Sequence, residues 1–307
     1  VDKQELSRFI KEQANQLGFQ FCGISKSGFL EKEAIYLEKW LKAGKHGEMK
    51  YLENHFDLRT NPEKLVEGAK SVISVLLNYF PSEPIVRKPN FPKISIYALG
   101  RDYHLVIREK LNKLLTEIQN KAGEINGRGF VDSAPVMDKV HAQNAGLGWI
   151  GKHTNLIHKS FGSWFFIGEI IVDIELDYDQ PAKDFCGTCT KCIDACPTQA
   201  LSPYEIDASR CISYLTIELK NKIPDNYKAN MENWVFGCDI CQEVCPWNSF
   251  AVSGTEEDFK PLSFLLERNS SDWKSITKEI FKKELRDSAI SRVKFNKFIE
   301  NIEFIEK

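Results

Sequence analysis

No apolar run in this 307-residue chain approaches the roughly 20 residues that a membrane-spanning helix needs, so no helical membrane span is expected. No secretory signal opens it either. The start, Val1 to Lys11, is charged and amphipathic, which predicts a cytoplasmic location and reduced cysteines. An excess of one charge is also missing, because 41 Lys and Arg face 43 Asp and Glu, a formal net charge of -2. Global attraction to nucleic acid or to anionic membrane is thereby excluded, and any such partner needs a local patch. No repeat of 20 to 50 residues is evident, which argues against a solenoid. What is present, 42% hydrophobic and 27% charged residues, describes a soluble globular chain long enough for one large domain or two ordinary ones.

Cysteine is nearly absent from most of the chain. Of nine, only Cys22 lies outside the stretch from Cys186 to Cys245. In a reduced compartment such clustering points to metal ligands rather than disulfides. Cys186-x2-Cys189-x2-Cys192-x3-Cys196-Pro197 is the bacterial ferredoxin run, in which three thiolates wrap one cubane and the fourth reaches another. Cys238-x2-Cys241-x3-Cys245-Pro246 ends in the same way but is one cysteine short, and Cys211 is the only nearby thiol to fill the gap. Crossed ligation then assigns Cys186, Cys189, Cys192 and Cys245 to one 4Fe-4S cluster and Cys196, Cys211, Cys238 and Cys241 to a second. Zinc also accepts four thiolates, but zinc ribbons favour separated C-x2-C pairs with no further cysteine three residues on. Cys22, in the apolar context Phe19-Gln-Phe-Cys-Gly-Ile, reads as a small buried hydrophobe.

Ahead of the cysteines, apolar periodicity predicts a helix from Glu5 to Leu17 stopped at Gly18, and a strand over Phe19 to Ile24. A second helix follows from Leu30 to Leu41, ending near Gly44. Asn61-Pro62 reads as the cap and first turn of a third. Buried strands are expected over Ser71 to Tyr79 and Trp164 to Val172. Between them falls a long helix capped by Asp102 and stopped at Gly123, and a helical stretch over Val136 to Ala145. Alternating helices and strands give an α/β (α+β) domain over residues 1–175. The periodicity dissolves between Asp173 and Asp184, so a ferredoxin-like domain is placed at 176–255. A helical segment at 256–307 carries the stripe Ile276, Ile280, Leu285, Ala289, Val293 and Phe298 to Ile302.

Clusters that pass one electron at a time imply an acceptor, and the residues before them must supply it. Gly146-Leu-Gly148-Trp-Ile-Gly151 matches the dinucleotide fingerprint, yet helical residues precede it and β-like ones follow, the reverse of a Rossmann turn. Its glycines ask instead for close approach to a neighbouring strand or to a flat cofactor. Asp132 follows Gly129-Phe-Val, where α/β folds place functional groups, but an ordinary turn or cap explains it equally. Arg101-Asp102-Tyr103-His104 is ambiguous in the same way, since Asp102 accounts for itself as an N-cap. His141, His153 and His158 receive no metal.

Several of these motifs together resemble the epoxyqueuosine reductases of tRNA modification. They are Arg59-Thr-Asn-Pro62, Tyr97-Ala-Leu-Gly-Arg-Asp-Tyr-His104, Val131-Asp-Ser-Ala-Pro135, Ala145-Gly-Leu-Gly-Trp-Ile-Gly-Lys152, Phe161-Gly-Ser163, Arg210-Cys-Ile-Ser-Tyr-Leu215 and Gly237-Cys-Asp-Ile-Cys-Gln242. The resemblance implies cobalamin held between the α/β domain and two 4Fe-4S clusters, with tRNA bearing epoxyqueuosine at the wobble position as substrate. It implies two-electron removal of the epoxide oxygen as water, Asp132 as proton donor, and recharging by a low-potential electron donor. By matching position it places Arg59, Tyr97, Asp132, Gly146, Gly148, Gly151, Leu156, Ile167, Ser213, Thr216, Asp239 and Gln242 against the cobalamin. A carboxyl that donates a proton should sit where desolvation raises its pKa. Nothing demands more than a monomer.

Many members of that family continue into a C-terminal helical-repeat domain that this sequence lacks. The stretches Arg87 to Arg128, with nine basic residues against four acidic, and Asp272 to Lys297, with eight against four, could take over RNA docking. Solvated helix faces are an equally good reading of both. Two alternatives compete: a cobalamin-dependent reductive dehalogenase, whose usual twin-arginine signal is missing here, and a pure electron carrier whose N-terminal part only docks a partner.

Overall fold

The computed structural model describes residues 2–89, 91–132 and 134–306. Helix α1 (Lys3–Gln16) turns Leu6, Ile10 and Ala14 inward. Asp2 caps it by accepting from the Glu5 amide, and Gly18 stops it at φ +91°. Strand β1 (Phe21–Lys26) begins two residues later than expected, because Phe19 is a buried core plug ahead of it. Helix α2 (Glu31–Lys42) matches its periodicity. Helix α3 (Phe56–Thr60) precedes Asn61-Pro62 instead of following it. The Asn61 side chain does accept from the Glu63 amide, but the chain makes only a 3-10 turn, Pro62–Lys64, before Gly68 at φ +72° redirects it.

Strand β2 (Ser71–Asn78) is buried along its whole length, and the short β3 (Lys93–Ile94) follows. Helix α4 (Tyr103–Ala122) is capped by Asp102 through the His104 amide. Then come β4 (Gly127–Phe130), α5 (Asp138–Asn144), the hairpin strands β5 (Trp149–Ile150) and β6 (Leu156–Ile157), and β7 (Phe165–Val172). The main sheet has the order β1-β2-β7-β4, and every pair in it is antiparallel. Within the mixed class expected, the N-terminal part is therefore α+β. Alternation along the strands divides the side chains between two faces. Ile73, Val75, Leu77, Ile170 and Val172 pack with α1 and α4 in the largest core, while Leu76 packs with Ala142 of α5 and Ala145 just after it on the opposite face.

The stretch after β7 has no regular structure, yet it is strapped along β1. The Asp179 amide donates to the Ile24 carbonyl, and its carboxylate accepts from the Ile24 amide at 2.8 Å. The cysteine region holds α6 (Lys191–Asp194), the hairpin of β8 (Leu201–Ser202) and β9 (Glu205–Ile206), α7 (Ile212–Ile217), β10 (Trp234–Phe236) and α8 (Ile240–Glu243). Four helices close the chain: α9 (Ser263–Leu266), α10 (Ser270–Ser275), α11 (Lys278–Glu284) and α12 (Phe295–Glu306). They share one core with Ile94, Ala98, Leu99, Val235 and Phe236. Ile280 departs from the expected stripe: it is exposed, and Phe281 is the residue α11 buries. Asn301 of α12 donates to the carbonyls of Thr216 and Val235, pinning the final helix onto the cysteine region.

Candidate active site

Two cavities carry the chemistry. The first, of about 250 Å³, is ringed by Cys186, Cys189, Cys192 and Cys245, the set that crossed ligation groups together. Three of those thiols leave the short turns around α6, and the fourth arrives from the end of α8, which packs against α6. The four sulfurs surround a volume suited to a polynuclear group. Two residues that sequence reasoning did not single out serve this cavity. Trp149 directs its indole Nε1 at Cys186 Sγ at 3.5 Å, and the buried Lys152 ammonium clamps the ligand loop through the carbonyls of Gly187 (2.6 Å) and Cys189 (2.9 Å). A hydrogen bond to a ligating sulfur is one means of setting a cluster's potential. Cys196 accepts from the Ala200 amide at 3.3 Å, and the thiols of Cys211, Cys238 and Cys241 are pushed upward in pKa, chiefly by burial and then by neighbouring thiols of the same set. Cys22 stands apart, its thiol pushed up to about 12 by burial.

The second cavity, of about 830 Å³, lies between the α+β sheet and the cysteine and C-terminal regions, with Asp132 on its wall. Asp132 follows β4 with φ at +44°, a conformation that aspartate tolerates better than most residues. Ser133, next in that motif, lies outside the described residues. The first turn of α4 supplies the partners: Tyr103 donates its hydroxyl to Asp132 Oδ2, and His104 Nε2 stands 3.5 Å from the same oxygen. The Tyr103 ring is held between His104 (4.1 Å between centroids) and Phe166 (4.2 Å, interplanar angle 5°), which locks both polar tips in place. His104 Nδ1 lies 2.8 Å from the Asp102 carboxylate, which also caps the helix.

Electrostatics here correct the expectation for Asp132. Desolvation does raise its pKa, but hydrogen bonds from His104 and Tyr103, with the charges of His104 and Arg292, outweigh it and bring the carboxyl down to about 2. Desolvation opposes the charge on His104, yet Asp102 and Asp132 together lift its pKa to about 9. At neutral pH the proton therefore resides on the imidazole and the carboxylate is ionised. Asp138, on the same wall, is raised to about 7 by burial and by the Asp132 charge. Arg292, paired with Glu218 at 2.7 Å, lines the cavity together with Arg59 and Arg108. The Arg59 Nε is buried without a hydrogen-bond partner among the described residues.

Of the residues matched to cobalamin contacts, the cavity brings together Arg59, Tyr97 and Asp132. The glycine loop is accounted for by backbone packing. A Cβ on Gly146 would lie 2.7 Å from the Gln180 carbonyl oxygen, and one on Gly148 would lie 2.3 Å from that of Ile157. One on Gly151 would meet the Ile157 side chain at 2.4 Å. A neighbouring strand and the strapped linker thus explain these three positions. Leu156 and Ile167 belong to the small core beneath α5. Ser213 lies on α7, where the hydroxyl of Thr216 accepts from the Gly237 amide at 3.0 Å. Asp239 is buried and engaged by Ser95, the Ile96 amide and Arg87, and Gln242 donates to Ser163. Both lock the second cysteine motif onto the N-terminal part.

Part of the two basic stretches is paired with acids, several of them distant in sequence, and the remaining cations stay without an ion pair among the described residues. Arg87 pairs with Asp239 and Glu243, Arg101 with Glu109 and Asp258, Lys110 with Glu256, Lys121 with Glu5, and Lys274 with Glu306. Among the described residues no helix is long and apolar enough to cross a membrane.

A further buried acid, Glu169, lies outside both cavities. Glu169 of β7 sits opposite Ser74 in the sheet, fully buried, and neither carboxyl oxygen has a hydrogen-bond partner among the described residues. Burial first, then the charges of Asp138 and Asp132, raises its pKa well above the ordinary value. A carboxyl raised on folding lends stability that is whole below its unfolded pKa and is lost as pH rises through the folded one. Replacing Glu169 with glutamine is expected to flatten the decline of melting temperature between about pH 5 and pH 8. Thermal melts of both proteins across that range check this, and parallel curves would refute it.

Four thiols around one cavity, in a region with a second set of four, and a hydrogen-bonded carboxylate in a second cavity point to the class of two-cluster iron-sulfur oxidoreductases. Residues 185–248 match the family model of a 4Fe-4S double cluster binding domain, and residues 59–133 match the model described as Epoxyqueuosine reductase QueG, DUF1730. The epoxyqueuosine reductase of Leadbetterella byssophila is 56% identical over 304 residues, covering 99% of each chain. That of Escherichia coli K12 is 42% identical, covering 98% of this chain and 81% of its own. Among solved structures, the epoxyqueuosine reductase from Bacillus subtilis with its catalytic aspartate loop swung out superposes with a TM-score of 0.90 at 27% identity, over 98% of this chain and 81% of that one. Another, bound to an epoxyqueuosine-modified tRNA-Tyr stem loop, superposes with a TM-score of 0.87 at 28% identity, over 98% and 80%. The chain belongs to the epoxyqueuosine reductase family.

Proposed function

We propose that this protein reduces epoxyqueuosine to queuosine at the wobble position of tRNA, the last step of queuosine formation. The observation that carries this reading is the placement of Asp132, with its Tyr103 and His104 partners, on the wall of a cavity of about 830 Å³ in a chain that also carries the double-cluster domain. We assign one 4Fe-4S cluster to Cys186, Cys189, Cys192 and Cys245 and the other to Cys196, Cys211, Cys238 and Cys241. The four-thiol ring of the first cavity supports the crossed arrangement.

Cobalamin fits this cavity in two respects: its polar and aromatic lining, and the unpartnered Arg59 Nε, which offers a donor to a polar group of the cofactor. Arg59, Tyr97 and Asp132 would hold it from the cavity side, and the remaining matched positions from Gly146 to Gln242 would act as its outer support. When bound, it would supply a strongly reducing metal centre. The chain's own residues orient the substrate and handle protons. Arg59 and Arg108 offer cationic contacts to a phosphate at the cavity, Tyr103 holds the Asp132 carboxylate, and Asp132 faces the oxygen that departs. The same reading takes residues 1–175, 176–255 and 256–307 as functional parts of a cytoplasmic monomer fed by a low-potential electron donor.

Anaerobic protein supplied with cobalamin, a chemical reductant and epoxyqueuosine-containing tRNA should lose epoxyqueuosine and gain queuosine by nucleoside analysis. Reconstituted protein that leaves epoxyqueuosine untouched would overturn the assignment.

A further inference from the structure

We propose that Asp102, His104 and Asp132 form a proton relay in which His104 is the reservoir and Asp132 the group that hands each proton to the departing oxygen. The proposal rests on the assignment of this cavity to epoxide reduction. That reaction breaks two C–O bonds, forms one C=C bond and releases the oxygen as water. It consumes two electrons, from the cobalamin and cluster chain, and two protons.

A carboxylate held ionised has no proton of its own to give, whereas the imidazole beside it does. His104 stands between two carboxylates, its Nε2 3.5 Å from Asp132 Oδ2 and its Nδ1 2.8 Å from Asp102 Oδ1. The Nε2 proton passes to Asp132 and from there to oxygen. The neutral imidazole keeps its Nδ1 proton on Asp102, and that carboxylate favours renewed protonation at Nε2 from cavity water, which readies the second transfer. Tyr103, stacked on His104 and bonded to Asp132, fixes the spacing of donor and acceptor. The other charged or titratable groups lining this cavity are Arg108 on the same helix, Tyr51, His55, Arg59, Tyr97 and Asp138, and Glu218 with Arg292. Arg292 and Glu218 are paired to each other, and burial, which opposes the charge on the imidazole, is outweighed by the two carboxylates beside it. Asp102 and His104 are thus positioning residues that act through Asp132.

The test uses Asp102→Asn, because asparagine caps a helix as well as aspartate and leaves the start of α4 intact. In 15N-histidine NMR of the full chain, the signal that His104→Gln removes is His104. It is expected to titrate above pH 8 in the parent protein and about one unit or more lower in Asp102→Asn. In single-turnover assays on epoxyqueuosine-containing tRNA, the alkaline limb of the rate profile should move to lower pH in Asp102→Asn by a similar amount, so that its deficit against the parent grows with pH. A His104 that titrates near its ordinary value in the parent protein overturns the relay. So does an alkaline limb that stays put while the NMR midpoint moves. Absence of turnover in the parent at every pH would count instead against epoxide reduction, and the NMR titration would still decide whether the cavity's proton sits on His104.

Discussion

Cys245→Ala is expected to remove the cluster of the first motif although the residue lies in the second, lowering iron from about eight to about four atoms per chain and turnover by at least about 100-fold. The reason is the ring of Cys186, Cys189, Cys192 and Cys245 around one cavity. Double substitutions make the test decisive. Cys186→Ala with Cys245→Ala strips ligands from a single cluster, so iron should stay near four, whereas Cys238→Ala with Cys245→Ala strips both and should bring iron towards zero. Iron assay and EPR of anaerobically reconstituted protein read the outcome, and the opposite pattern would dismantle the crossed assignment.

Asp132→Asn should lower turnover by about 10²- to 10⁴-fold, the span typical for loss of a proton-transfer group, with both clusters and cobalamin retained. Asparagine preserves the size of the side chain and can still accept from Tyr103, so loss of activity without loss of fold isolates the proton step. The substitution also removes one of the two carboxylates that hold His104 protonated, and the His104 titration should fall with it. Absorbance and cobalamin retention report the loaded protein, and nucleoside analysis reports the rate. Full activity in this variant would take Asp132 out of the mechanism.

The electrostatic state of Asp132 illustrates where reading the chain runs out. Its position after a short strand and before a helix is legible from local pattern, and so is its membership of a motif. Its pKa direction is not, because the groups that reverse the effect of burial arrive from the start of α4, 29 residues earlier for Tyr103. The glycine loop carries the same lesson. Spacing asked for close approach to a strand or a cofactor, and only the fold brings the carbonyls of Ile157 and Gln180 to the sites where side chains would stand. Which cations of the basic stretches are paired was equally illegible, because acidic partners such as Glu5, Glu243 and Glu256 lie far away along the chain.

By itself the sequence determined what is encoded locally: the helices and strands with clear periodicity, the Asp102 cap, and eight thiols at the spacing that 4Fe-4S clusters require. Those features depend on neighbours within a few residues, and short-range geometry is nearly independent of the rest of the fold. Tertiary structure alone decided where the proton rests among Asp102, His104 and Asp132, and which cations are paired at the cleft. Each of these depends on distances between segments remote in the chain, and electrostatic and packing energies follow separation in space, not separation in sequence.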